Sequence, residues 1–282
     1  MNNQILEPET AKTNYCIQAA YNVLKALDLF ATNNAQIGVS ELRRALDINA
    51  NMAFRILFTL EKAKYIVANP LTGKYYLSMK LLALGKVVTE SLAISKISSP
   101  YLKLLANELK IVNVVLVIFE CNDLIIAERI DSHRLPAVYA PTGRRLPLHA
   151  TANGKIIMSE MHKQDLERLR QKGFEKFTAN TITEMDRLEV EFEEIRKTGI
   201  AWEREEFSVN LNGIGAAIRG SSGQILATVC INGFSNNVSP GELEDMQEQL
   251  LATTASITEA MAYVSDSDMR ISITNAERDS QS

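Results

Sequence analysis

Apolar and polar positions along this chain follow two different periods, and the switches between them lay out the elements. After Thr13 and Asn14, either able to cap a helix, Ile17, Ala20, Val23, Leu24, Leu27 and Phe30 recur at three- and four-residue steps and predict a first helix. A polar turn over residues 31–38 leads to Val39 and to Ser40, which reads as the N-cap of a short second helix with Leu42, Ala45 and Leu46 on its apolar face. That helix stops near Asp47. Residues 49–51 supply turn and capping side chains for a third helix, apolar at Ala53, Ile56, Leu57 and Leu60, with Asn51, Met52, Arg55, Thr59 and Lys62 on its other face. Two strand-like runs, 65–68 and 75–77, flank a turn with a basic tip at Lys74. Three helices followed by a hairpin is the order of a winged helix-turn-helix.

Residues 79–94 read as a linker helix, and Pro100 opens a further periodic stretch through Tyr101, Leu104, Leu105 and Leu109. Past Ile111 the texture changes to apolar runs at 114–119 and 124–130 around Asn122 and Asp123, a hairpin at the centre of a sheet. Helices are predicted at 153–161, 164–171 and 185–197, and strands at 200–205, 211–218 and 225–232. Pro240 opens a closing helix to about residue 264. The fold class expected is α+β, with a mostly antiparallel sheet and helices packed on it. The expected domains are a winged helix-turn-helix at 14–77, a linker helix at 78–94 and a second domain at 95–265, between flexible tails 1–13 and 266–282.

Length agrees, since 282 residues suit two domains that each bury a core. Charge adds more. Residues 12–86 hold ten Lys and Arg against four acids, a net +6, while the whole chain is −4 and the remainder therefore −10. A local basic excess is what a polyanion-binding module needs, because each neutralised phosphate releases counterions. A solvated basic face is the plainer alternative. No run of about 18 apolar residues and no signal-peptide pattern is present, so a soluble, cytoplasmic protein without a membrane span is expected. Cys16, Cys121 and Cys230 are odd in number and far apart, which disfavours disulfides and a zinc site and leaves buried, reduced thiols as the default.

In a helix-turn-helix the second helix of the pair lies in the major groove with its first residues near base edges. Here those residues are Asn51, Met52 and Arg55, and Asn and Arg side chains can pair with adenine or guanine edges through two hydrogen bonds. Arg55 can equally contact phosphate; Lys74 and Arg43 or Arg44 are further phosphate candidates. In the second domain, strand 225–232 alternates Ala227, Val229 and Ile231 with Thr228, Cys230 and Asn232, so one face is core and the other small and polar. Strand 211–218 places Leu211, Gly213, Gly215 and Ala217 on one face that nearly lacks side chains. Such faces leave room for a small-molecule cavity; close packing of a helix against the glycines is the alternative.

The segments FRILFTLEKAKYIV, TGKYYLS, LPLHATANGK, IRKTGIAWEREE and GIGAAIRGSSGQILATVCING, in this order and spacing, resemble the landmarks of the IclR family of transcriptional regulators over about residues 14–265. The resemblance implies a winged helix-turn-helix, a linker helix and a GAF-like effector-binding domain. It also implies dimers or tetramers, double-stranded operator DNA as partner, and control of genes in response to a small organic or aromatic acid. No cofactor, metal or enzymatic activity is implied. Carried over position by position, Leu148, Ala150 and Thr151 lie near the effector. Glu203 stands where the family usually has Asp, Leu211 and Gly213 occupy two pocket positions, the second often Cys, and Cys230 and Asn232 two more, often Ser. Asp47 and Lys64 stand where Gly is common. Of these, Leu211, Gly213, Cys230 and Asn232 are the residues that strand parity puts on the open face.

Other chemistries fit less well. Gly154-Lys155 lacks the earlier glycine and the following Ser or Thr of a phosphate loop. His133, His149 and His162 lack metal-ligand spacing, and no Gly-x-Ser-x-Gly elbow exists. Arg144 and Arg145 can attract a carboxylate or merely solvate a turn. A GAF-like enzyme built on Cys121 or Cys230, without regulatory DNA binding, is the alternative from another class.

Overall fold

A computed structural model of the chain describes residues 16–33, 36–110, 112–131 and 141–263. The expected tails, the capping pair Thr13 and Asn14, and His133 lie outside them. The chain forms two compact units divided between Val88 and Thr89, and each is taken by itself.

The first unit holds α1 (Gln18–Asn33), α2 (Val39–Leu46), α3 (Ala50–Lys62), β1 (Ile66–Ala68), β2 (Tyr75–Leu77) and the start of α4 (Lys80–Ser91). Its core gathers Ala26, Phe30, Ile37, Leu42, Ala53, Ile56, Leu57, Leu60 and Ile66. Asn49 caps α3, its side-chain oxygen accepting the Met52 N–H at 2.8 Å. Ser40 is not the cap of α2: Glu41 reaches back to accept the Gly38 N–H at 3.2 Å, so the helix begins one residue before Ser40. Ala45 is exposed rather than core, since three residues beyond Leu42 on so short a helix it turns past the contact with α3. Along α1 only the C-terminal half is buried; Ile17, Ala20 and Leu24 are exposed within this chain. The β1–β2 hairpin is tied to the α1–α2 connection by paired hydrogen bonds between Ile37 and Tyr75, both at 3.0 Å. Asp47 and Lys64 adopt the left-handed conformation, φ 50° and 63°, without a glycine.

In the second unit α5 (Ala93–Leu109) precedes β3 (Asn113–Glu120), β4 (Asp123–Ile130), β5 (Arg145–Leu146), α6 (Ala152–Ser159), α7 (Lys163–Lys172) and α8 (Met185–Thr198). Then come β6 (Ala201–Arg204), β7 (Leu211–Arg219), β8 (Ile225–Phe234), α9 (Pro240–Asp245) and α10 (Gln247–Met261). The helix break expected between 94 and 100 falls at Leu92, which is extended. Pro100 sits inside α5 instead. It lies on the exposed face with Lys96, so water can take the carbonyl that proline leaves without a donor. The β3–β4 turn is centred on Cys121 and Asn122, one residue earlier than expected, both at positive φ as a tight two-residue hairpin requires. The closing helix is split at Met246, whose N–H bonds back three residues to Leu243 at 3.2 Å and tightens the turn.

Six strands form one wholly antiparallel sheet in the order β5-β4-β3-β8-β7-β6. On one face Val114, Leu116, Ile214, Ala216, Ile218, Val229 and Ile231 pack against α5 and α10. On the other, Val115, Val117, Ala201 and Cys230 meet α6 and α8. Every residue of α6 is buried, including Asn153 and Lys155. Gly154 is what lets it lie there, because a Cβ would stand 2.1 Å from the Leu148 carbonyl oxygen.

Candidate functional site

On the first unit, the exposed arc of α3 carries Asn51, Phe54, Arg55, Phe58, Thr59 and Lys62. Asn49 takes the capping role and leaves the Asn51 amide at the exposed first turn. Met52 is half-buried and packs against the core, so of the three residues expected at base edges it projects least. Arg43 and Arg44 are exposed on α2. Lys74 is not a free cation at the hairpin tip: its Nζ donates to Glu41 Oε1 at 2.6 Å, holding that carboxyl below its usual range. The tip residue is Leu71, 94 % exposed. Phe54 and Phe58 escaped the sequence reading, although their i, i+4 spacing opposite Ala53, Ile56, Leu57 and Leu60 marks them as outward-facing.

On the second unit, strand register assembles a polar row. Glu203 on β6 pairs with Gly213 on β7, and Gly213 with Asn232 on β8. Two carbonyl-bearing side chains thus flank a glycine. A Cβ on Gly213 would come within 3.0 Å of Asn232 Cβ and 3.2 Å of Cys230 Sγ. The next row is Ala201, Gly215 and Cys230. Its glycine serves helix packing, since a Cβ there would meet Ile156 at 3.2 Å and Ala152 at 3.3 Å. Expected pocket residues Glu203, Gly213, Cys230 and Asn232 are therefore brought together, and Leu211 shares their face. Ala150 is fully buried just ahead of α6, and Leu148 is half-buried with its carbonyl against Gly154. The Thr151 hydroxyl is committed to the backbone, accepting from Gly154 N–H at 3.1 Å and donating to the Pro147 carbonyl at 2.8 Å.

Glu203 is 4 % exposed and its Oε1 has no hydrogen-bond partner; neither do Asn232 Oδ1 and the Thr228 hydroxyl, on the same face. Burial first, and then the Glu206 charge, push the Glu203 carboxyl up to about 8, against the pull of Lys155 and of the Ala152 N–H. Burial also drives the Cys230 thiol well above its normal range, with the Glu203 charge adding to it. Beneath lies an ion cluster that sequence reasoning missed. The fully buried Lys155 Nζ donates to Glu206 at 2.8 and 3.0 Å and to Glu191 at 2.7 Å. Its only signal was a lysine next to the apolar run Ile156, Ile157 and Met158 in a helix without another charge. His149 is buried between Phe174 and Phe177, with Nε2 2.8 Å from the Glu175 carbonyl, and desolvation lowers its pKa. Arg145 is held by Asp123 at 3.2 Å and Arg144 lies over the Phe207 ring. Among the described residues no three or more His, Cys, Asp or Glu cluster as metal ligands, and no helix is long and apolar enough to cross a membrane.

A winged helix-turn-helix in one unit and a helix-flanked antiparallel sheet with a polar row in the other define a class of two-domain transcriptional regulator. Residues 86–259 match the family described as bacterial transcriptional regulator IclR, C-terminal, and the chain belongs to the IclR family. It is 26% identical over 249 residues to the HTH-type transcriptional regulator XynR of Escherichia coli (strain K12), covering 88% of this chain and 98% of that protein. Among solved structures, a transcriptional regulator from Rhodococcus sp. RHA1 is 26% identical with TM-score 0.74, over 89% of this chain and 100% of that one. An IclR homolog from Microbacterium hydrocarbonoxydans, complexed with 4-hydroxybenzoate, has TM-score 0.70 at 18% identity, over 86% and 99% of the two chains, a likeness of fold.

Proposed function

We propose that this regulator binds double-stranded operator DNA through residues 14–77 and a small organic or aromatic acid through residues 95–265, the two coupled by the linker helix 78–94. Asn51 and Arg55 read base edges, while Arg43 and Arg44 hold phosphates. Lys74 and Met52 act at one remove, the first by fixing the hairpin to α2 and the second by seating α3. The effector lies over Gly213 between Glu203 and Asn232, bounded by Cys230, Leu211 and the loop of Leu148, Ala150 and Thr151.

The observation that carries this reading is the Glu203–Gly213–Asn232 row, in which the two residues flanking one without a side chain each carry a buried oxygen without a partner. Leaving such atoms unpaired costs about 1–3 kcal/mol each, which a ligand would recover. Lys155 is spent on Glu206 and Glu191, so a carboxylate effector is held by neutral donors, Glu203 in its protonated form among them. The 4-hydroxybenzoate bound by the Microbacterium homolog is an acid of the expected kind. The exposed apolar side chains of Ile17, just before α1, and of Leu24 on it suit self-association as a dimer or tetramer. A thiol held protonated is a poor nucleophile, which favours a sensor over an enzyme built on Cys230.

Effector binding shifts the balance between quaternary arrangements that space two recognition helices correctly or incorrectly for one operator, which needs a differential affinity of about 1–3 kcal/mol. A thermal-shift panel of small carboxylates and aromatic acids, 4-hydroxybenzoate included, tests this when followed by DNA binding with and without each hit. A hit that raises the melting temperature and changes DNA affinity is expected. A hit that is chemically turned over by a protein that binds no DNA would replace this reading with the enzyme.

A further inference from the structure

The outward arc of α3 carries an aromatic pair that the core does not explain. Phe54 and Phe58 are 52 % and 51 % exposed, and their rings stack with centroids 6.1 Å apart and planes 23° from parallel. Both point away from Ala53, Ile56, Leu57 and Leu60, which seat the helix. At 100° per residue Phe58 lies within about 20° of Asn51 on the helix wheel, and Arg55 and Lys62 fall within about 60° of it. An apolar ridge thus runs along the helix directly beside an amide and two cations. Neither Arg55 nor Lys62 has a carboxylate partner among the described residues.

We infer that Phe54 and Phe58 are specificity-determining residues that read thymine methyl groups in the major groove, so that the operator half-site carries two A·T pairs within about two base steps of each other. This deepens the DNA-binding reading above and rests on it. The C5-methyl of thymine is the apolar group on the major-groove edge of the base pairs, and phenylalanine is among the side chains that meet it. The 6.1 Å between rings compares with about 3.4 Å between successive bases of a strand, hence the spacing. The flanking charges select this occupant. Arg55 and Lys62 complement a polyanion, whereas a second copy seated on the same ridge would set these cations against their own counterparts.

The test takes the full chain and a random-sequence duplex library, sequences the retained duplexes, and replaces each thymine of the enriched site by deoxyuridine, which removes the methyl alone. Two thymines are expected at which the exchange weakens wild-type binding about fourfold each, the weight of one buried methyl. The same exchange should change affinity little in Phe54→Ala/Phe58→Ala, whose melting temperature stays close to wild type because both rings are exposed. If a site is enriched but no thymine responds, or the response survives in the double variant, the inference is overturned while DNA binding stands. If the double variant instead dissociates an oligomer and leaves DNA affinity unchanged, the ridge is a contact between copies. If no duplex is retained by the wild type, with or without effector candidates, the DNA-binding reading itself fails and this inference with it.

Discussion

The two faces of the six-stranded sheet are built from alternate residues of the same strands, yet they solve different problems. On the face toward α5 and α10, Ile214, Ala216, Ile218, Val229 and Ile231 are almost completely buried and wholly apolar, so the layer is held by close packing. On the face toward α6 and α8, glycines replace the branched residues, and Glu203, Thr228 and Asn232 leave oxygens without partners. The first face stabilises the domain. The second also packs a buried apolar layer against α6 and α8, but its unpaired polar groups subtract from that stability. Sites that bind by completing unpaired groups are expected to sit on such a layer.

The largest change should come from Lys155→Met, which strips the buried Glu206 carboxylate of its cation and removes one partner of the part-exposed Glu191. A loss of about 3–5 kcal/mol in denaturant unfolding is expected, partly restored by adding Glu206→Gln. An unchanged midpoint would mean that the cluster is not what anchors the polar layer. Next, Ile231→Ala on the closed face should cost roughly 3 kcal/mol, whereas Thr228→Val three residues earlier on the same strand should gain about 1 kcal/mol by deleting an unpaired hydroxyl. Similar losses at both positions would erase the distinction between the faces.

Between these lies a pH effect. The Glu203 carboxyl titrates near 8 in the folded chain, above its unfolded value of 4.5, so the folded state binds the extra proton between those limits. Its stabilising contribution is present below pH 4.5 and is lost as pH rises toward 8, with a slope of at most about 1.4 kcal/mol per pH unit. Glu203→Gln should flatten that slope in chemical melts at pH 5, 6.5 and 8; a slope unchanged by the substitution would place the responsible group elsewhere. The smallest effect belongs to the other unit. Lys64 holds φ 63° without a glycine's freedom, so Lys64→Gly should stabilise the winged unit by about 0.5 kcal/mol, read as a small rise in its melting temperature. A fall would mean that the lysine contributes more than backbone conformation.

The order of helices and strands was determined by the sequence itself, because an amphipathic element must repeat its apolar residues at the period of its own backbone. Parity alone therefore placed Gly213, Cys230 and Asn232 on one face of the sheet, and the family landmarks pointed to the same residues. Boundaries were less legible: the caps of α2 and the breaks at Leu92 and Met246 depend on single backbone bonds that compete within a residue or two. What only the tertiary structure decided is which polar groups meet. Lys155 finds carboxylates 36 and 51 positions away and Lys74 finds Glu41 33 positions back, while Glu203 is left facing a glycine. Periodicity states which side of an element is buried, but not what lies against it, and the electrostatics of a buried charge are set by that neighbour.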